Sequence, residues 1–189
     1  MTSYQIQTVE TASEAVRQPL KELQGAFGFV PAAAGVMANS AVLLNSFFSA
    51  FSQFRGEGTF GPDERQVLLL SNAVANGSEW AVAFHSLEAI ADGVDPVVVE
   101  ALRRGELPDD PRMAALSALT RTLIDKRGHL DDEDVAAFVA AGFTEEQLLE
   151  AITGVAISTM TNYAANLGQP PLEAVLLPHA WTARYSSSV

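Results

Sequence analysis

The sequence predicts an all-α fold: one compact helical domain over residues 1–189, with its core at about 11–169 and a tail at 170–189. Three observations carry that expectation. Apolar residues recur at spacings of three and four, as in Leu43, Leu44, Phe47, Phe48, Phe51 and Phe54. Helix-starting residues and glycine or proline breakers bracket these runs. No run alternates apolar and polar residues as a half-buried strand does. Connections are short, and no linker divides the chain.

The elements follow in order. Thr11 to Leu23 opens at Thr11 or Ser13 and is broken by Gly25, Gly28 and Pro31. Ala32 to Ala38 makes a short helix. Asn39-Ser40 then caps the phenylalanine-rich helix, which ends before Gly56, Gly58 and Gly61. Pro62-Asp63-Glu64 starts the next helix, with proline in the first turn and carboxylates near the positive end. It runs to Gly77. Ser78 caps a helix that reaches about Asp92, closed by Gly93. Asp95-Pro96 begins a short helix to Arg104, and Pro111 to Lys126 forms another. Asp131 or Asp132 caps Glu133 to Ala141. Thr144 to Gln147 reads as a capping box before a long helix to about Leu167, stopped by Pro170-Pro171. The tail is mixed, and Ser186 to Val189 is expected to be disordered.

Composition narrows the partners. The chain has 23 acidic and 11 basic residues, a formal net charge of −12. That balance argues against nucleic acid and anionic membranes, which need a basic footprint. No stretch approaches the ~18 apolar residues needed to cross a bilayer. Met1 to Glu10 is polar, without the basic start of a secretion signal. These features predict a soluble, cytoplasmic protein. There is no cysteine, so disulfides and thiol chemistry are excluded. His85, His129 and His179 lie far apart, and no pair has metal-ligand spacing, so neither metal nor cofactor is expected.

Residues 76–86 read Asn-Gly-Ser-Glu-Trp-Ala-Val-Ala-Phe-His-Ser. With Cys at Ser78 and Ala81 this would be C-x-x-C-x-x-x-H at a helix start. There a thiolate is stabilised by free backbone N–H groups and the helix dipole, and a second Cys three residues on shares its face. The stretch resembles the signature of the alkylhydroperoxidase D and carboxymuconolactone decarboxylase family with both sulfurs replaced. Other segments resemble the family's longer, peroxidase-related branch: Gly28-Phe29-Val30-Pro31, Glu57-Gly58-Thr59-Phe60, Lys126-Arg127-Gly128-His129 and Thr159-Met160-Thr161-Asn162-Tyr163. The resemblance implies a helical domain in an obligate homo-oligomer: dimer, trimer or hexamer. Phe47, Phe48, Phe51 and Phe54 point the same way, being more aromatic surface than one helix of a small domain usually buries alone.

The resemblance also implies that a Glu twelve residues before the first Cys relays protons with the His. Counting back from Ser78 gives Gln66. Glu64 lies about 200° round the helix from Gln66 and does not replace that carboxylate. Only His85 of the relay survives. Catalytic candidates are therefore His85 as acid or base, with Ser78 and Gln66 orienting the substrate; Trp80 and Ala81 are candidates for the pocket wall. Each has a plainer role beside it: His85 as a hydrogen-bonded packing residue, Ser78 as a helix cap, Trp80 as core, Gln66 as a neutral hydrogen-bond partner. Ser78 and His85 are two turns apart, about 10 Å, which argues against a dyad. Glu88, three residues after His85, is placed to contact it. The family's decarboxylase branch lacks the Cys pair and works by acid–base chemistry. The expected function is a thiol-independent enzyme on a small molecule, of decarboxylase, isomerase or cyclase type. The alternative is a non-catalytic oligomeric protein that binds a ligand or partner.

Overall fold

The computed structural model describes residues 4–183; the expected disorder at Ser186 to Val189 lies outside the described residues. These residues form α1 (Glu14–Phe27), α2 (Ala32–Met37), α3 (Ala41–Gly56), α4 (Pro62–Ala75), α5 (Glu79–Ala91), α6 (Pro96–Arg103), α7 (Pro111–Asp125), α8 (Asp132–Ala140), α9 (Glu145–Gly168) and a 3₁₀ turn at Ala174–His179. There is no strand among them. Short polar side chains start the helices as their chemistry dictates. Ser40, Asp95, Asp110, Asp131 and Thr144 each accept a backbone N–H of the first turn.

The first helix differs from its expected bounds. It begins at Glu14 and passes through Gly25 to Phe27, ending where Gly28 takes φ 79°. Ser13 sits at the cap position without a side-chain bond, and Thr11 instead accepts from Thr8 N in the preceding turn. Pro19 lies inside this helix. A proline there leaves the carbonyl four residues back without its N–H donor. Asn45 of α3 supplies one, its Nδ2 donating to Ala15 O at 3.2 Å.

Helix α4 is the centre of the bundle, packed against α5, α6, α7 and α9. Val67 to Ala73 are all buried, so this helix has no solvent face here. Its buried polar groups are paired: Ser71 Oγ donates to Ser117 Oγ at 2.9 Å, and Asn72 Oδ1 accepts from Asn162 and Asn76. Where α9 crosses α4, the backbone passes close. A Cβ on Gly154 would meet Leu68 Cδ2 at 2.7 Å and Phe54 Cζ at 3.1 Å. Gly154→Ala is expected to destabilise the protein by about 1–3 kcal/mol through overpacking, read in a urea titration.

The phenylalanines of α3 turn out differently from the expected surface. Phe47 and Phe54 are buried, and Phe48 and Phe51 are half-buried against the chain's own core. They give no reason for a second subunit. The large exposed apolar side chains include Leu149, Ile152, Tyr163 and Leu167, which share one stripe of α9.

The segment after α9 is a strap. Leu176 is fully buried, and the 3₁₀ turn packs on α5. Arg103 donates to the carbonyls of His179 and Ala180, and Trp181 donates back to Arg103 O. Glu173 ties the strap to two elements: Oε1 accepts from Ala32 N at the start of α2, and Oε2 accepts from Trp80 Nε1 at 2.9 Å.

Candidate functional site

Helices α4 and α5 are joined by a short turn, with Gly77 at φ 58°, and fold back on each other as a helical hairpin. That brings Gln66 against His85. Gln66 Oε1 lies 3.1 Å from His85 Nδ1, and Gln66 Nε2 donates to Asp92 Oδ2 at 2.8 Å. Asp92 ends α5, two turns beyond His85 on the same face.

This chain fixes the histidine's tautomer. A carboxylate only accepts, so Asp92 holds the NH₂ end of the Gln66 amide. The carbonyl end then faces His85, and a carbonyl also only accepts. Nδ1 therefore carries the proton and donates it to Gln66. Nε2, across the ring, is left with a bare lone pair and no partner among the described residues. His85 is 8% exposed, and burial pulls its pKa from 6.5 down to about 3. The ring is neutral at any physiological pH.

His85 lines a cavity of about 50 Å³. Its walls come from α1, α2, α3, α4, α5 and α9, and include Leu23, Phe27, Phe51, Trp80, Phe84 and Ile157. Trp80 stacks on Phe84 with ring centroids 5.0 Å apart, fixed by its bond to Glu173. No charged side chain lines this space. Two hydroxyls do. Thr161 donates to Ile157 O, and Ser158 accepts from Asn162 Nδ2, which leaves the Ser158 proton uncommitted. A second, smaller cleft meets His85 from the Gln66 side and holds Arg55, Arg65 and Asp92. Glu88 sits nearby. Burial pushes its carboxyl above the usual range, the Asp92 charge adds to the rise, and Arg55 opposes it.

The structure thus brings together His85 and Gln66, and places Trp80 in the cavity wall. It separates the others. Ser78 is at the cap position of α5, but its side chain caps nothing; Oγ is buried without a hydrogen-bond partner. The capping role expected from the sequence is absent: the buried hydroxyl accepts no first-turn N–H. Ala81 is fully buried and outside the cavity lining. Glu88 does not bond His85; Asp92 reaches it through Gln66 instead. Glu64 is structural: Oε1 accepts from Arg112 Nε at 2.6 Å, and Oε2 accepts from Gly61 N. Asp92, Ser158 and Thr161 were not singled out from the sequence. The spacing of Asp92, seven residues after His85, was the one available signal.

Comparison with known proteins places the fold. No family model matches the sequence, and no curated protein does. Solved structures do match. One is described as an alkylhydroperoxidase AhpD core, an uncharacterised peroxidase-related protein from Ralstonia eutropha JMP134; it shares 20% identity and a TM-score of 0.79, covering 92% of this chain and 93% of its own. The debrominase Bmp8, as a cysteine-to-alanine variant in complex with 2,3,4-tribromopyrrole, matches at 16% identity and TM-score 0.77, covering 95% of each chain. A peroxidase-related protein from Silicibacter sp. TM1040 matches at 16% identity and TM-score 0.72, covering 92% of each. The chain therefore has the AhpD-like all-helical fold, with no cysteine in it.

Proposed function

We propose that this protein is an enzyme acting on a small molecule without thiol chemistry, with His85 Nε2 as the group that takes and returns a proton. The observation that supports this reading is Nε2, which has no partner among the described residues while Nδ1–H is held by Gln66, on a ring that lines the cavity. An imidazole in such a place resists protonation from water. It accepts a proton from a bound acid more readily, because the products form an adjacent ion pair in a low-dielectric site. Gln66 is an amide and passes no proton onward. The proton returns to the bound molecule or leaves by the cavity mouth.

This arrangement favours isomerase or cyclase chemistry over decarboxylation. A substrate carboxylate needs a cation, and Arg55 and Arg65 line the second cleft rather than this one. The debrominase with a bromopyrrole bound shows a small ring in a protein of the same fold, which supports a small-molecule role here. The test is a substrate panel: β,γ-unsaturated ketones, lactones, β-keto acids, halogenated phenols and pyrroles, and an alkyl hydroperoxide with dithiol. Turnover of a proton-transfer substrate that falls at least about a hundredfold in His85→Phe is expected. The hydroperoxide should not turn over, since the chain has no thiol. Turnover of hydroperoxide, or no His85-dependent reaction across the panel, contradicts the reading.

The exposed stripe Leu149, Ile152, Tyr163 and Leu167 supports a homo-oligomer as the working form. Light scattering is expected to give a multiple of 20.1 kDa at micromolar concentration; a monomer mass contradicts it.

A further inference from the structure

We propose that the His85 cavity selects neutral single-ring molecules that donate one N–H or O–H hydrogen bond, phenols and azoles, and rejects carboxylates of the same size. The inference rests on the reading of His85 as a neutral acceptor and names the ligand class of that site.

Three features carry it. First, the chain from Asp92 through Gln66 leaves Nε2 able only to accept. A ligand meets it by donating a hydrogen; a carboxylate offers lone pairs against a lone pair. Second, the walls are aromatic and aliphatic and bear no charge. An ion entering loses its hydration and meets no charge in the wall, Arg55 being stacked on Phe27 and Phe51 rather than lining the space, whereas a neutral ring gains stacking and burial against Trp80 and Phe84. Burial holds the ligand-free His85 neutral, so an anion that arrives without a proton of its own meets no imidazolium. Third, the space is small. About 50 Å³ is well below the about 150 Å³ of an engineered cavity that takes benzene. One ring is the upper limit, and it enters only as the half-buried Phe27 and Phe51 give way. The free proton of Ser158 adds a donor on the α9 side, which suits a hydroxyl able to accept as well as donate.

The experiment measures binding of phenol, pyrrole, toluene and benzoate to the full-length protein at pH 7, by calorimetry or ligand-observed NMR. Phenol and toluene are nearly the same shape and differ in the donor. Phenol is expected to bind roughly three- to tenfold more tightly than toluene, the usual worth of one neutral hydrogen bond. Pyrrole should bind measurably, and benzoate at least about a hundredfold more weakly than phenol. In His85→Phe, the advantage of phenol over toluene should vanish. Should that variant not fold, the four-ligand comparison in the natural protein decides alone. Equal binding of phenol and toluene, comparable binding of benzoate, or no binding of phenol and pyrrole overturns the proposal. The ¹⁵N spectrum of the unliganded His85 ring separates the two levels. A proton on Nε2 sinks both this inference and the functional reading, while a proton on Nδ1 with no ligand preference sinks this inference alone.

Discussion

Lowering the pH from 7 to 5 is expected to destabilise the natural protein by about 2 kcal/mol more than it destabilises His85→Phe. Folded His85 has its pKa pulled from 6.5 down to about 3 by burial. The unfolded chain protonates this ring below about 6.5, and the folded chain does so only near 3. In that window the unfolded state holds more protons, so stability rises with pH. The contribution is fully present above about 6.5 and is lost as pH falls toward 3, at about 1.4 kcal/mol per unit. Phenylalanine fills a similar volume and cannot titrate. Carboxylates also titrate on acidification, but they are common to both proteins and cancel in the difference. Urea titrations of the two proteins at pH 7 and pH 5 give the number directly. Parallel losses would mean that His85 is not held neutral by the fold.

Asp92→Leu is expected to lower His85-dependent turnover by about 10²–10³-fold, and Asp92→Asn to lower it by less. Leucine removes the acceptor of Gln66 Nε2, so nothing orients the amide. The ring is then free to place its proton on Nε2, and the lone pair leaves the cavity. In the serine-protease triad, a wrong tautomer costs about 10⁴. Here the carboxylate acts through Gln66, and the loss is expected to be smaller. Asparagine keeps an oxygen that accepts from Gln66, but its NH₂ can donate to Gln66 instead, so it fixes the amide only in part. Asp92 is a positioning residue on this account. No loss in either variant would show that the Asp92–Gln66 contact does not set the tautomer. Kinetics on the substrate found in the panel, with the ¹⁵N tautomer of each variant, separates these outcomes.

Local signals made most of the helices readable. Ser40, Asp95, Asp110, Asp131 and Thr144 all cap where their side chains predict, because a cap is a contact between residues two or three apart. Gln66 was found by counting along the chain, and the hairpin of α4 and α5 does bring it to His85. What the sequence left hidden was set by packing. The cavity takes walls from helices separated by more than a hundred residues, so no local pattern marks Leu23 and Ile157 as neighbours. Ser78 stands at a cap position, yet its hydroxyl is buried without a partner, which the local sequence does not reveal. The phenylalanines of α3 looked like surplus surface because their partners, Phe27 and Phe60, lie outside that helix. Glu88, at a spacing of three, looks like the nearer contact of His85; the bridge from Asp92 through Gln66 exists only once α4 is alongside.

The central claim is that His85 is a neutral imidazole with its proton on Nδ1 and its lone pair toward the cavity. The ¹⁵N and ¹³C shifts of the His85 ring, followed from pH 8 to pH 5 in the unliganded protein, test it most directly. The account predicts a protonated Nδ1 and an unprotonated, pyridine-like Nε2 throughout, with no titration near pH 6.5. A proton on Nε2, or an imidazolium forming with a midpoint near 6.5, would contradict it.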